Sequence, residues 1–364
     1  MAETRAKPPR EESRPDSPVR WIPSDEDRGK PESGIGLCLS GGGYRAMLFH
    51  LGAIWRLNQL GYLKRLTRVS SVSGGSIAAA VLGQRWSRLK FTEAGPQGHP
   101  VAANLEAEVA APIRTLASHT LDLPAVLTGL LLPGATISSR IAAAYRRHLF
   151  GDATLQDLPS DEDGPRFVIN ATNLQSGVLW RFSRPYLADY RVGTILEPEV
   201  TLADAVAASS AFPPILAPAR MRFAEGQYVP DSGEDLQKPP FTTHPTLADG
   251  GVYDNLGLET AWKSCRMVLV SDGGGAMEPD GGGSWRWRDW ATQMVRVTTV
   301  IDNQVRSLRK QQTIEGFDAP EDSDQHRLGT YWGIRSDIAN FDLPTSMEAP
   351  WEETLKLAAV ATRL

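Results

Sequence analysis

The sequence predicts an α/β fold built on a parallel sheet with helices on both faces. Three stretches carry that expectation. "GIGLCLS" (34–40) is a compact apolar run followed at once by a helical pattern. "LTRVSSV" (66–72) is a second short run with β-branched residues, again followed by a helical pattern. "RMVLVSDGGG" (266–275) is a third apolar run, which ends in glycines. Apolar runs without alternation suit strands buried on both faces, and a strand–helix–strand–helix order returns each strand parallel to the last.

Taken in order, residues 1–33 are rich in Pro, Arg, Glu, Asp and Ser and lack an apolar core, so they read as a disordered tail and not as a secretory signal. Residues 34–364 read as a single domain, with the C-terminus possible as a truncation because "WEETLKLAAVATRL" stops without a cap. After the first strand, Met47, Leu51, Ile54, Leu57 and Leu60 recur at spacings of three and four, which marks an amphipathic helix stopped by Gly61. From Ser76 the residues are small and apolar, as in a helix packed closely on the second strand. Residues 88–135 read as a mixed helical insertion. Within it "LPAVLTGLLLPGA" (123–135) is too short to span a bilayer; it reads as a short buried helix, or beside a lipid site as a lid or membrane-dipping segment.

"ATISSRIAAAYRRHLFG" resumes a helix with Ser138 or Ser139 as cap. "RFVINATNLQSGVLWRFS" (166–183) gives two strands around a turn, and "TLADAVAASSAFPP" a helix with a Thr-x-x-Asp start and a Pro213-Pro214 stop. "PTLADGGVYDNLG" reads as a strand end and loop, residues 276–290 as a loop, and "VRVTTVIDNQVRSLRKQQ" as a helix.

The net charge of −5 gives no reason to expect nucleic acid, and none is expected as a partner. Cys38 and Cys265 could pair in one disulfide, but two buried thiols of a reducing compartment is the favoured reading. With six scattered histidines they form no recognisable metal-ligand cluster, so neither metal nor cofactor is expected. The expected setting is cytoplasmic, with membranes met transiently as a surface.

Three glycines in "SGGGYRA" imply that something approaches the backbone closely. "GGGYRA" satisfies Gly-x-Gly-x-x-Ala, the dinucleotide fingerprint between strand and helix. That fingerprint needs an acid at the end of the second strand, where this chain has "RVSSVSGGS" and none. A phosphate loop would need a Lys after the glycines, and Arg45 comes two residues later instead.

The second strand ends on Ser73, within Ser71-Val72-Ser73-Gly74-Gly75, the nucleophile-elbow spacing with Ser71 in place of its first glycine. A serine on such a turn presents its hydroxyl, and Gly75 lets the turn close. Ser71 and Ser76 lack that spacing. The hydroxyl needs a base. His50, His99, His119, His148, His244 and His326 occupy no setting that argues for catalysis. Asp249 in "LADGGVYDNLG" and Asp272 in "VLVSDGGG" both stand between an apolar approach and glycines, and spacing does not separate them.

Four pieces, "SGGGYRA", "SVSGGS", "ASSAFPP" (208–214) and "DGGVYDNLG" (249–257), in this order, resemble the patatin-like phospholipase family over roughly residues 34–260. The resemblance implies a three-layer α/β/α fold with a mostly parallel central sheet and a Ser-Asp dyad without histidine. Carried over by position, Ser73 is the nucleophile and Asp249 the base, with Asn255 following as in the family. Gly41, Gly42 and Gly43 then form the oxyanion hole, Arg45 closes that loop, and Asp272 becomes a strand-end acid. Ser71 departs from the usual elbow glycine.

The implied activity is a lipid acyl hydrolase acting on phospholipids or lysophospholipids through an acyl-enzyme. Readings kept beside it are a thioesterase or general carboxylesterase with the same dyad, and a binding module with an idle site. A carboxylate of ordinary pKa, ~3.9, is a weak base at neutral pH. Asp249 is therefore expected to be partly desolvated.

Overall fold

The computed structural model describes residues 32–93, 95–118, 137–214, 216–275, 277 and 290–336. In chain order its main elements are β1 (Glu32–Leu39), α1 (Gly43–Gln59), β2 (Leu66–Val72), α2 (Gly74–Arg85), β3 (Phe91–Thr92), β4 (Val101–Ala102), α3 (Ala111–Ala117) and α4 (Ile137–Tyr145). The antiparallel strands β5 (Arg166–Asn173), β6 (Val178–Phe182), β7 (Tyr186–Asp189) and β8 (Gly193–Leu196) lead to α5 (Leu202–Ser209) and β9 (Ala219–Arg220). Then come β10 (Thr246–Asp249), α6 (Gly251–Asp254), α7 (Leu258–Ser264), β11 (Cys265–Asp272), α8 (Trp290–Asp318) and β12 (Leu328–Gly333).

The sheet runs β12-β11-β1-β2-β5-β6-β7-β8, and its first five strands are mutually parallel. β1 lies inside, with Leu37 opposite Val69 of β2 and Leu269 of β11. The meander β5 to β8 is antiparallel, and β10 pairs antiparallel with β5, setting Asp249 opposite Ala171.

Strand alternation divides the core into two layers. Leu37 and Leu39 point toward Met47, Leu51 and Ile54 of α1 and Ile77 of α2. Cys38, Val268 and Val270 point the other way, toward Leu258, Ala261 and Trp262 of α7. Helices on both faces of a mostly parallel sheet make the three-layer α/β/α arrangement. Burying both faces requires the continuous apolar strands seen in the sequence.

α1 buries Met47, Leu51, Ile54 and Leu57 and stops at Gly61, φ 72°. Leu60, expected in the same stripe, is exposed at the C-cap. The insertion differs more. It opens on the hairpin β3–β4 before turning helical at Glu106–Ala110 and α3. Two-residue strands are too short to show alternation, so the hairpin left no pattern to read.

α4 begins at Ile137, so Ser138 and Ser139 lie inside its first turn and do not cap it. Thr201 does cap α5, accepting from the Asp204 N–H at 3.1 Å. After β10 the chain forms a single helical turn, α6, where a loop was expected.

The tail before Glu32, the apolar run 123–135, nearly all of the loop 276–290 and the C-terminal helical pattern lie outside the described residues. Cys38 and Cys265 are free and buried. No helix among the described residues is long and apolar enough to cross a membrane.

Candidate functional site

Ser73 stands between β2 and α2 with φ 52° and ψ −121°. A non-glycine residue there stores about 1–3 kcal/mol of backbone strain, which surrounding contacts must offset. Three contacts do so. The Ser73 N–H donates to Ser209 Oγ at 3.0 Å, and Ser209 Oγ donates to the Asn170 carbonyl at 2.6 Å. The Gly75 N–H donates to the Ser40 carbonyl at 3.2 Å. Ser71 is accommodated where a glycine is usual because its hydroxyl turns into the sheet and donates to the Val168 carbonyl at 3.3 Å.

Asp249 ends β10. Its N–H donates to the Ala211 carbonyl at 2.8 Å, and its own carbonyl accepts from Thr172 Oγ1 at 2.8 Å. With its backbone so tied, the side chain faces Ser73. It is 3% exposed and accepts the Gly251 N–H at 2.8 Å. Burial raises its pKa to about 7; the Gly251 N–H and the Ser73 hydroxyl pull it down, and the Asp302 charge pushes it up. The desolvation expected of this carboxylate is present.

Asp272, which spacing could not separate from Asp249, is occupied elsewhere. It accepts the Gly274 N–H at 2.9 Å and Arg306 Nε at 2.9 Å, and Tyr331 donates its hydroxyl to it. It pins the turn after β11.

The glycine loop, 41–43, lies over the elbow. Gly41 is buried, and its N–H already donates to the Asn255 carbonyl at 2.9 Å. Gly42 and Gly43 are exposed, and no acceptor for their N–H groups occurs among the described residues. Arg45 is exposed beside them, with Nε 3.5 Å from the Gly273 carbonyl.

Behind the loop His50 is fully buried. Its Nε2 lies 2.9 Å from the Ser40 carbonyl and must donate to it, so Nδ1 accepts from Ser271 Oγ at 2.9 Å. Burial lowers its pKa to about 4, which keeps it neutral. Ser40 Oγ in turn accepts the Gly273 N–H at 2.8 Å. His50, His244 and His326 all make their hydrogen bonds away from Ser73.

The patatin-like phospholipase profile matches residues 37–262. The chain belongs to the patatin-like phospholipase family. A search of curated proteins returns no match. Among solved structures, human GIVD cytosolic phospholipase A2 is 14% identical, with a TM-score of 0.45 over 74% of this chain and 48% of that one. The same human protein in complex with methyl gamma-linolenyl fluorophosphonate is 19% identical, with a TM-score of 0.43 over 70% and 41%. VipD from Legionella pneumophila is 14% identical, with a TM-score of 0.32 over 91% and 67%. The patatin-like chain thus spans about half the length of the human protein or less.

Within this patatin-like domain the structure unites residues that the sequence left apart. Ser209 anchors the elbow; its stretch "ASSAFPP" was one of the four family pieces, but nothing in the sequence gave Ser209 that role. Asn255 joins the segment after β10 to the glycine loop. Asp302, from α8, accepts a hydrogen bond from Asn255 Nδ2. A lone acid in a long helix gave no signal of this. Two cavities, of about 900 and 490 Å³, lie among the described residues and are lined by neither Ser73 nor Asp249.

Proposed function

We propose that this protein is a serine lipid acyl hydrolase that cleaves carboxylic esters of phospholipids or lysophospholipids, with Ser73 as nucleophile and Asp249 as base. One observation carries the reading: a serine on a strained elbow faces a buried carboxylate whose pKa is raised to about 7, close to the pH at which a base must work. Membership of the patatin-like family supports the lipid substrate.

Ser73 Oγ attacks the ester carbonyl while Asp249 takes its proton. The tetrahedral intermediate collapses, and the alcohol leaves with the proton that Asp249 returns. Water, deprotonated by Asp249, then attacks the acyl ester of Ser73; the acid departs and Ser73 Oγ regains a proton. Gly42 and Gly43 supply the donors to the oxyanion, since both residues are exposed and no acceptor for their N–H groups occurs among the described residues. Gly41 serves as the anchor of the loop, its N–H being held by Asn255. One such donor is typically worth ~10²–10³ in rate. Arg45, exposed beside these glycines, closes the loop through its Nε and the Gly273 carbonyl.

The test combines a fluorophosphonate probe with a panel of phospholipids and lysophospholipids. Wild type should label and release fatty acid. Ser73→Ala should do neither, and Asp249→Asn should lose turnover while remaining folded. Full activity in Ser73→Ala would refute the assignment.

A further inference from the structure

The family profile ends at residue 262, within α7, yet one carboxylate from beyond it reaches the site. Asp302 lies on the inner face of α8 and accepts from Asn255 Nδ2. The contact brings three polar atoms together. A Cβ on Gly251 would stand 3.0 Å from Asn255 Nδ2, 3.1 Å from Asp249 Oδ1 and 3.3 Å from Asp302 Oδ1.

Asn255 works in two directions. Its side chain is held by Asp302, while its backbone carbonyl holds the Gly41 N–H. Its Oδ1 is buried without a partner, 3.1 Å from where a Gly41 Cβ would be. A buried amide with an unsatisfied oxygen keeps its orientation only if the other end is firmly held. Asp302 is the group that holds it.

The same helix reinforces the grip. One turn on, Arg306 donates to Asp272 and to the carbonyls of Gly274 and Gly275, 2.8–2.9 Å away. Arg309 pairs with Asp254 and Glu259 at 3.8 and 3.4 Å. Asp302, Arg306 and Arg309 are spaced four and three apart, so one face of α8 holds the segments after both β10 and β11.

We propose that Asp302 is a positioning residue for the Ser73–Asp249 pair, fixing the Asn255 amide that joins the Asp249 segment to the glycine loop and setting a second negative charge beside Asp249. This rests on the hydrolase reading above. The charge has a definite direction of effect: a neighbouring carboxylate disfavours ionisation of Asp249. Around Asp249 the acting groups are the Gly251 N–H, the Ser73 hydroxyl and Asp302. Around Asp302 they are Asn255, Arg306 of its own helix and Asp272 of β11, and burial raises its own pKa.

The experiment is ester hydrolysis against pH for wild type, Asp302→Asn and Asp302→Ala, with carboxylate carbon NMR following Asp249 in each protein. Asp302→Asn keeps an acceptor for Asn255 and removes the charge. It should hold kcat near wild type while the acid limb of kcat/KM and the NMR titration of Asp249 both move to lower pH. Asp302→Ala removes the anchor as well and should lower kcat on the order of 10- to 100-fold with KM little changed.

A folded pair of variants with the wild-type pH limb, the wild-type Asp249 titration and wild-type kcat would overturn the proposal while the hydrolase reading stood. A wild type that neither labels at Ser73 nor hydrolyses any lipid would overturn both. If Asp302→Ala does not fold, the Asp302→Asn shift alone decides.

Discussion

Gly74 rests directly on Gly43: a Cβ at position 74 would stand 2.0 Å from the Gly43 carbonyl oxygen and 3.1 Å from its nitrogen. The residue after the proposed nucleophile therefore sets the height of the loop that carries the proposed oxyanion donors. Gly74→Ala must push that loop away, and a shift near 1 Å costs on the order of 10²-fold in rate. Gly43→Ala meets no atom within 4 Å and is strained only by its φ of 65°, a cost of roughly 1–3 kcal/mol. Both kcat and melting temperature should be measured for the two variants. Activity in Gly74→Ala equal to wild type would show that the contact does not govern the loop.

The pH dependence of turnover follows from Asp249. As the proposed base, Asp249 would accept the Ser73 proton only when ionised, so kcat/KM for a short acyl ester should rise with pH through about 7 and level off above it. A limb near ~4, the unperturbed value, would exclude Asp249 as the base.

The same burial makes Asp249 a cost to stability. Its folded pKa is raised above the unfolded value, so the folded state holds the proton more tightly between about 4 and about 7. Its contribution is full below the unfolded pKa and is lost as pH rises through about 7. The change, from 3.8 to about 7, corresponds to roughly 4 kcal/mol of disfavoured charge at high pH. Asp249→Asn should therefore melt above wild type at pH 8 and lose most of that advantage at pH 4. Calorimetry at the two pH values checks the sign.

Glu259 carries the opposite sign. Burial alone would raise its pKa, but Lys263, Arg181 and Arg309 outweigh burial and lower it. Its stabilisation is thus present above the unfolded pKa and lost in acid. It lies 2.7 Å from Lys263 Nζ and 3.5 Å from Arg181 Nη2, both nearly inaccessible. Glu259→Gln leaves buried cations without their counter-charge and should cost roughly 3–5 kcal/mol in denaturant unfolding. A loss below about 1 kcal/mol would place the pairing energy elsewhere.

His50 should stay neutral across the working range, because burial lowers its pKa to about 4. Its ring proton signals should not titrate between pH 6 and 8. His50→Phe removes the donor to the Ser40 carbonyl and should lower kcat through the glycine loop while Asp249 titrates as in wild type. An unchanged kcat would make His50 a packing residue alone.

Much of this arrangement was legible in the chain. Glycine runs at strand ends and apolar runs without alternation follow from backbone geometry and two-sided burial, which act on neighbouring residues and so leave local patterns. The family motifs brought Ser73 and Asp249 forward together. The hairpin at Phe91 and Val101 escaped because its strands are two residues long, and α6 because a single helical turn is too short to show a helical period and read as a loop. Asp249 and Asp272 look alike in sequence. What distinguishes them is the company each keeps, Arg306 and Tyr331 at Asp272 and Ser73 at Asp249.

By itself, then, the sequence determined the α/β class, the tight turn at Ser73, the glycine loop and two candidate carboxylates, Asp249 and Asp272, because each is written in adjacent residues. Only the tertiary structure decided that the Gly41 N–H is taken by the Asn255 carbonyl, that buried His50 bonds the Ser40 carbonyl before the loop, and that Asp302 meets Asn255 across 47 positions. Hydrogen bonding and desolvation act through space, and a helix packed late in the chain can set the charge around an acid whose own neighbours in sequence say nothing of it.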